Sequence, residues 1–194
     1  MQAKTNGAVT LASSNKYKVN GNAIFKAVSA TELETDTTVS AGPGAGIATN
    51  VKTYGTLGTS AFTAYGSVAS VSVAGFAITT TLSFTPALIT PLTLKVNESF
   101  SSTVTVKTES SPAATVIADY VQTVQYTYVG LESVTVAAGT FNACKMKTTS
   151  TAAGATGTSF NWTVAEGKYK GLFAKSDDGK GTITEATKLL VNGQ

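Results

Sequence analysis

The chain has no histidine and no arginine; all 14 of its basic residues are lysine. Without imidazole, neither a Ser-His-Asp nor a Cys-His nucleophile can be assembled. Cys144 is the sole cysteine, so a zinc site lacks ligands and no intrachain disulfide can form. The missing guanidinium removes the planar fork that reads phosphate and guanine, which argues against a nucleic-acid partner. Charge is scarce as well, 13% of residues, about half the usual share. The formal +3 comes from lysines scattered singly, which solubilise a surface without building a strong local field. No apolar run approaches the ~18 residues of a membrane helix. The opening residues Met1, Gln2, Ala3 and Lys4 begin no apolar signal core; a signal segment removed ahead of Met1 and a lipid anchor in the precursor are left open by the sequence.

What fills the chain instead is threonine, serine, alanine and glycine, with 42% hydrophobic residues, many of them β-branched. Branched side chains fit a pleated sheet and lose rotamer freedom in a helix. At 194 residues the chain suits one domain, spanning 1–194, that needs no metal or disulfide to hold its core. The class expected is therefore all-β, without cofactor.

Turn signals divide the sequence at short intervals. Asn20-Gly21-Asn22, between Val19 and Ile24, reads as a hairpin turn. Glu32, Glu34 and Asp36, spaced by two, share one face of a strand and read as a solvated edge rather than a calcium site. Residues 41–46, rich in Gly around Pro43, read as a flexible loop separating an amino-terminal layer from the rest. From Val51 onward apolar alternations recur about every ten residues, the spacing of a sandwich or barrel. Pro86 and Pro91 mark the segment between them as a loop or an edge crossing, and Leu92, Leu94 and Val96 resume the alternation. Val116 to Val129 reads as a long strand with Val124, Tyr126 and Tyr128 on one face. Residues 130–147 read as a hairpin turning at Ala137-Ala138-Gly139, and Asp177-Asp178-Gly179 as a further turn. The expected fold is a single antiparallel, strongly curved sheet, a half-barrel, or an open β-sandwich, of about ten strands.

Gly130, Glu132, Val134, Val136, Gly139, Thr140, Phe141 and Lys145 stand at the positions of a G-x-E-x-V-T-V-x-A-G-T-F-x-A-x-K hairpin, and Trp162 and the 171–175 segment follow it. This run resembles a group of bacterial secreted proteins and lipoproteins of unknown function. The resemblance covers roughly the last 70 residues, and the loop at 166–171 is longer than the group's pattern. It implies an extracytoplasmic location and a curved half-barrel like that of lipoprotein carriers, which hold acyl chains on a concave face. It implies no catalytic residues.

Four aromatics, Tyr126, Tyr128, Phe160 and Trp162, are the candidates to line a groove or stack on a ligand; packing in the core is the alternative. Glu132, Glu166, Asp177 and Asp178 are the carboxylates nearest to a glycosidase pair, and Asp177 with Asp178 reads better as a turn. The function expected is a non-enzymatic envelope or secreted protein that binds a lipid or other hydrophobic small molecule. The alternative is a structural, self-assembling surface or filament protein that associates through strand edges, and the third reading is a hydrolase of cell-wall or sugar polymers acting through paired carboxylates.

Overall fold

The computed structural model describes residues 1–7, 10–73, 76–112 and 117–192. Twelve strands form one antiparallel sheet: β1 (Gln2–Asn6), β2 (Leu11–Phe25), β3 (Val28–Ala41), β4 (Ala48–Leu57), β5 (Ala61–Val73), β6 (Phe76–Pro91), β7 (Ser99–Ser111), β8 (Tyr120–Val136), β9 (Gly139–Ala152), β10 (Ala155–Val164), β11 (Phe173–Asp177) and β12 (Ile183–Lys188). Each strand pairs with its sequence neighbours, and β1 pairs with both β2 and β12, so the sheet closes into a barrel. No helix among the described residues is long and apolar enough to cross a membrane, which says nothing about spans made of strands.

The all-β antiparallel class stands, but the half-barrel or open sandwich of about ten strands is corrected to a closed barrel of twelve. Closure comes from residues 2–6, a polar stretch without an alternation signal, which forms β1 and satisfies the edges of β2 and β12 together. Asn20-Gly21-Asn22 is a β-bulge inside β2, not a turn; the turn falls at Lys26 and Ala27, both at positive φ. The 41–46 loop joins two paired neighbours, β3 and β4, and separates no layers. Of the loop or edge crossing expected at 87–90, no loop forms: these residues are strand, β6 leaves β7 after Thr85 and resumes pairing with β5 at Leu88, and Pro86 falls in the gap where no ladder bond is lost. Leu92, Leu94 and Val96 lie in the β6–β7 connection, with Leu92 and Val96 exposed. Of the long strand expected from Val116, the part from Tyr120 is present, and Val116 lies outside the described residues. The 130–147 hairpin and the Asp177–Gly179 turn form as expected.

Alternation is cleanest on β7, where Ser102, Val104 and Val106 are buried and Ser101, Thr103 and Thr105 are exposed. The second half of β6 crosses that buried face: the Ile89 amide donates to Ser102 Oγ (3.1 Å) and Thr90 Oγ1 donates to the Tyr126 hydroxyl (3.2 Å). A second core gathers Val134, Val136, Ala143, Trp162, Val164, Ala174, Ala186 and Leu189 under the β8–β9 hairpin. The hairpin tip is tied across the barrel by the Ala138 amide, which donates to the Ala186 carbonyl (3.1 Å).

At the closing seam the buried side chains are small: Ala3 and Ala186 face each other across β1 and β12, at 2% and 0% exposure. A larger side chain has nowhere to go. Ala186→Leu should destabilise the fold by about 1–3 kcal/mol, read as a lowered midpoint in urea; an unchanged midpoint would show that the seam is loosely packed.

Candidate functional site

Below the seam the barrel wall is incomplete. β1 pairs with β2 only from Leu11 to Ser14, and Met1 and Asn15 then exchange backbone bonds of 2.7 and 2.8 Å. From Lys16 to Phe25, β3 is the only ladder partner of β2 among the described residues. The register Val19↔Leu33↔Thr53 and Tyr17↔Thr35 places these side chains on one face of β2, β3 and β4. With Phe62 from β5 and Lys18 from β2, they line a groove of about 410 Å³. Tyr17 also borders a second cavity of about 320 Å³ whose other wall is Thr163, Gly171, Leu172 and Phe173. The two spaces thus meet at one phenol. Tyr17 is 53% and Val19 68% exposed, so large apolar side chains are left uncovered at the groove. Partial burial raises the Tyr17 pKa above its ordinary value and keeps the phenol neutral.

Phe62 is held in place by Gly55, directly beneath its ring: a Cβ there would run into the ring and the Thr63 carbonyl oxygen. The bulge between Tyr54 and Gly55 turns β5 over the groove at this point.

The opposite face of the same strands is polar. Asn20 Nδ2 donates to Glu32 (2.7 Å) and Glu34 (2.5 Å), and Asn50 Nδ2 to Glu34 and Asp36 (both 2.7 Å). Lys52 pairs with Glu32 at 3.0 Å. The Asn20 amide, above all, holds the Glu32 and Glu34 carboxyls below the ordinary range, with Lys52 aiding Glu32 and Asn50 aiding Glu34. β3 is therefore flanked on both sides, not the solvated edge expected, and its acids are bridged by amides. The bulge at Asn20 delivers the amide that does this. A polar cavity of about 320 Å³ lies further along this face, beside Lys16, Asp36, Asn50 and Ser70.

The four aromatics singled out in the sequence fall on two faces. Tyr126 and Tyr128 pair with Thr148 and Met146, whereas Phe160 and Trp162 pair with the adjacent Lys147 and Lys145, whose side chains point the other way. Tyr128 donates to Cys144 Sγ at 3.9 Å, and burial, then the thiol, raises the pKa of its phenol. Trp162 is buried, and its Nε1–H donates to Glu132 (2.6 Å), which also pairs with Lys145 (3.2 Å). Lys145 and Lys175 lie 4.8 and 5.6 Å from the indole ring. The other carboxylates are engaged locally: Glu166 accepts from Asn142 (2.7 Å), and Asp177 and Asp178 accept backbone amides of their own turn. No cluster of metal-ligating side chains occurs among the described residues.

Comparison of the chain with protein-family models, curated proteins and solved structures finds no match. Tyr17, Val19, Leu33 and Phe62 were not singled out in the sequence. The alternation Lys16-Tyr17-Lys18-Val19 is the signal that could have found an apolar face left at an edge.

Gly55→Ala should cost about 1–3 kcal/mol by displacing Phe62. Gly157→Ala, where an added Cβ meets nothing within 4 Å, should be neutral or stabilising by about 0.4–1 kcal/mol. Equal effects on the melting temperature would refute the Gly55 argument. Glu32 and Glu34 have depressed pKa values in the fold, so the unfolded chain binds more protons below the ordinary value of 4.5. Their contribution is present above that pH and lost as pH falls through the folded values. Asn20→Ala should therefore lower the melting temperature at about pH 7 more than at about pH 3; a loss that is the same at both pH values would contradict this linkage.

Proposed function

We propose that this protein is a non-enzymatic extracytoplasmic carrier that holds a lipid acyl chain or a similar hydrophobic ligand in the β2–β5 groove. The observation that carries the reading is the groove: an apolar lining of Tyr17, Val19, Leu33 and Phe62 around about 410 Å³. That volume lies within the roughly 300–1,000 Å³ of small-molecule sites. The barrel also exposes 10934 Å² of surface, roughly a quarter more than the ~8,600 Å² of a compact monomer of this mass. Covering apolar surface is worth about 25 cal/mol per Å², which gives such a ligand a driving force without any catalytic group. The extracytoplasmic placement rests on the resemblance carried by the 130–145 hairpin.

Self-association through strand edges fits less well. The free stretch of β2 carries Lys16, Lys18 and a bulge, each of which discourages strand addition.

Titration with a fluorescent fatty acid should give saturable binding. Val19→Asp, at a position already exposed, should leave stability within about 0.5 kcal/mol and weaken binding at least about tenfold by setting a charge in the apolar lining. No saturable binding to the intact protein, or binding indifferent to Val19→Asp, would refute the proposal.

A further inference from the structure

We infer that the groove selects a single-chain anionic amphiphile whose head group sits at Lys18; this rests on the carrier reading above. Among the residues that line the groove, Lys18 alone is charged, and the others are apolar or hydroxylic: Tyr17, Val19, Leu33, Thr35, Thr53 and Phe62. Among the described residues its ammonium makes no ion pair within 4 Å, and it acts on Glu34 only at a distance. The ion pairs of the described residues engage Lys26, Lys52, Lys107, Lys145 and Lys175, and Lys18 is in none of them. The acid across the ladder is Glu34, whose two oxygens are bridged by the amides of Asn20 and Asn50 and which Lys18 reaches through its field, with no direct hydrogen bond.

The position of Lys18 follows from the missing wall. By alternation its Cβ belongs to the polar face, but β2 has no outer neighbour here, so the flexible stem can lie along the rim beside Tyr17 and Val19. A tail laid against Leu33 and Phe62 would thus end at a cation. The Thr35 and Thr53 hydroxyls offer further donors, and no carboxylate lines the groove to attract a cationic head.

The test uses one tail with three heads. Dodecanoate, dodecanol and dodecyltrimethylammonium are each made to displace a fluorescent fatty acid from the intact protein, below their critical micelle concentrations. The expected order of affinity is anionic, then neutral, then cationic. Lys18→Gln should weaken dodecanoate about fivefold, as expected for a partly exposed charge pair, and leave dodecanol unchanged. Lys16→Gln, which removes the same charge two residues along β2 at the polar cavity rather than at the groove, should leave both unchanged. If the three compounds bind alike, or if the two lysine variants act equally on dodecanoate, the head-group inference falls while the carrier reading stands. If none of the three displaces the probe, the groove itself is not a lipid site.

Discussion

The barrel depends on the hydrogen bonding of one short strand. β1 contributes five residues, yet it is the element that joins the first long hairpin to the last strand and turns a twelve-strand meander into a closed wall. A meander of this length twists as it grows, and the twist brings its ends together; the polar backbone of residues 2–6 then fills the gap between them. Because β1 is shorter than β2, closure is complete at one end of the seam and absent at the other. The groove is a direct result of that mismatch. It is a stretch of β2 on which the side-chain alternation of a buried strand continues after its neighbour has ended.

Bulges do the rest of the shaping. An extra residue breaks the register at Asn20 in β2, between Ala64 and Gly66 in β5, and between Tyr128 and Gly130 in β8. Each lets a pair of strands leave its neighbours and fold over the sheet. At the β2–β3 tip, Phe25 stacks on Tyr54 with ring centroids 4.8 Å apart and covers Gly66, where a Cβ would collide with the Phe25 ring, and Lys26 reaches Glu109 at 2.5 Å. At the β8–β9 tip the hairpin covers Trp162 and Val164. The buried side chains gather accordingly in separate places, Val104, Val106 and Val124 on β7 and β8 and the Trp162 cluster under the β8–β9 hairpin.

Much of this was legible in the sequence. Val104 and Val106, Val134 and Val136, and the turn at Ala137-Ala138-Gly139 behave as period-two alternation and turn chemistry dictate. What failed was reading local punctuation as topology. Asn20-Gly21-Asn22 has the composition of a turn, but a bulge demands the same positive φ of Gly21, and only the partner strand decides between them. Pro86 removes one donor, which is harmless at a residue between two ladders. Residues 2–6 carry no hydrophobic signal because a seam strand needs backbone pairing first and only the small side chain of Ala3 inside. The candidate site was less legible still, since a groove made by a neighbour's ending has no motif of its own.

The hairpin that carries the resemblance is best understood as a device of construction. Glu132 accepts the indole N–H, Lys145 pairs with that carboxylate and lies over the ring, and Gly139 takes a positive φ at the turn beside Phe141. A buried indole N–H without an acceptor would cost more than the hydrogen bond itself returns, so Glu132 and Trp162 must be present together. Trp162 pairs directly with Lys175 on β11, and Lys175 pairs with Glu185 on β12, so the lock extends to the strand against which β1 closes the barrel. The glycine, glutamate, lysine and tryptophan of that run therefore bear on how the wall is fastened. The groove lies elsewhere, on β2 and β3, where the fastening stops.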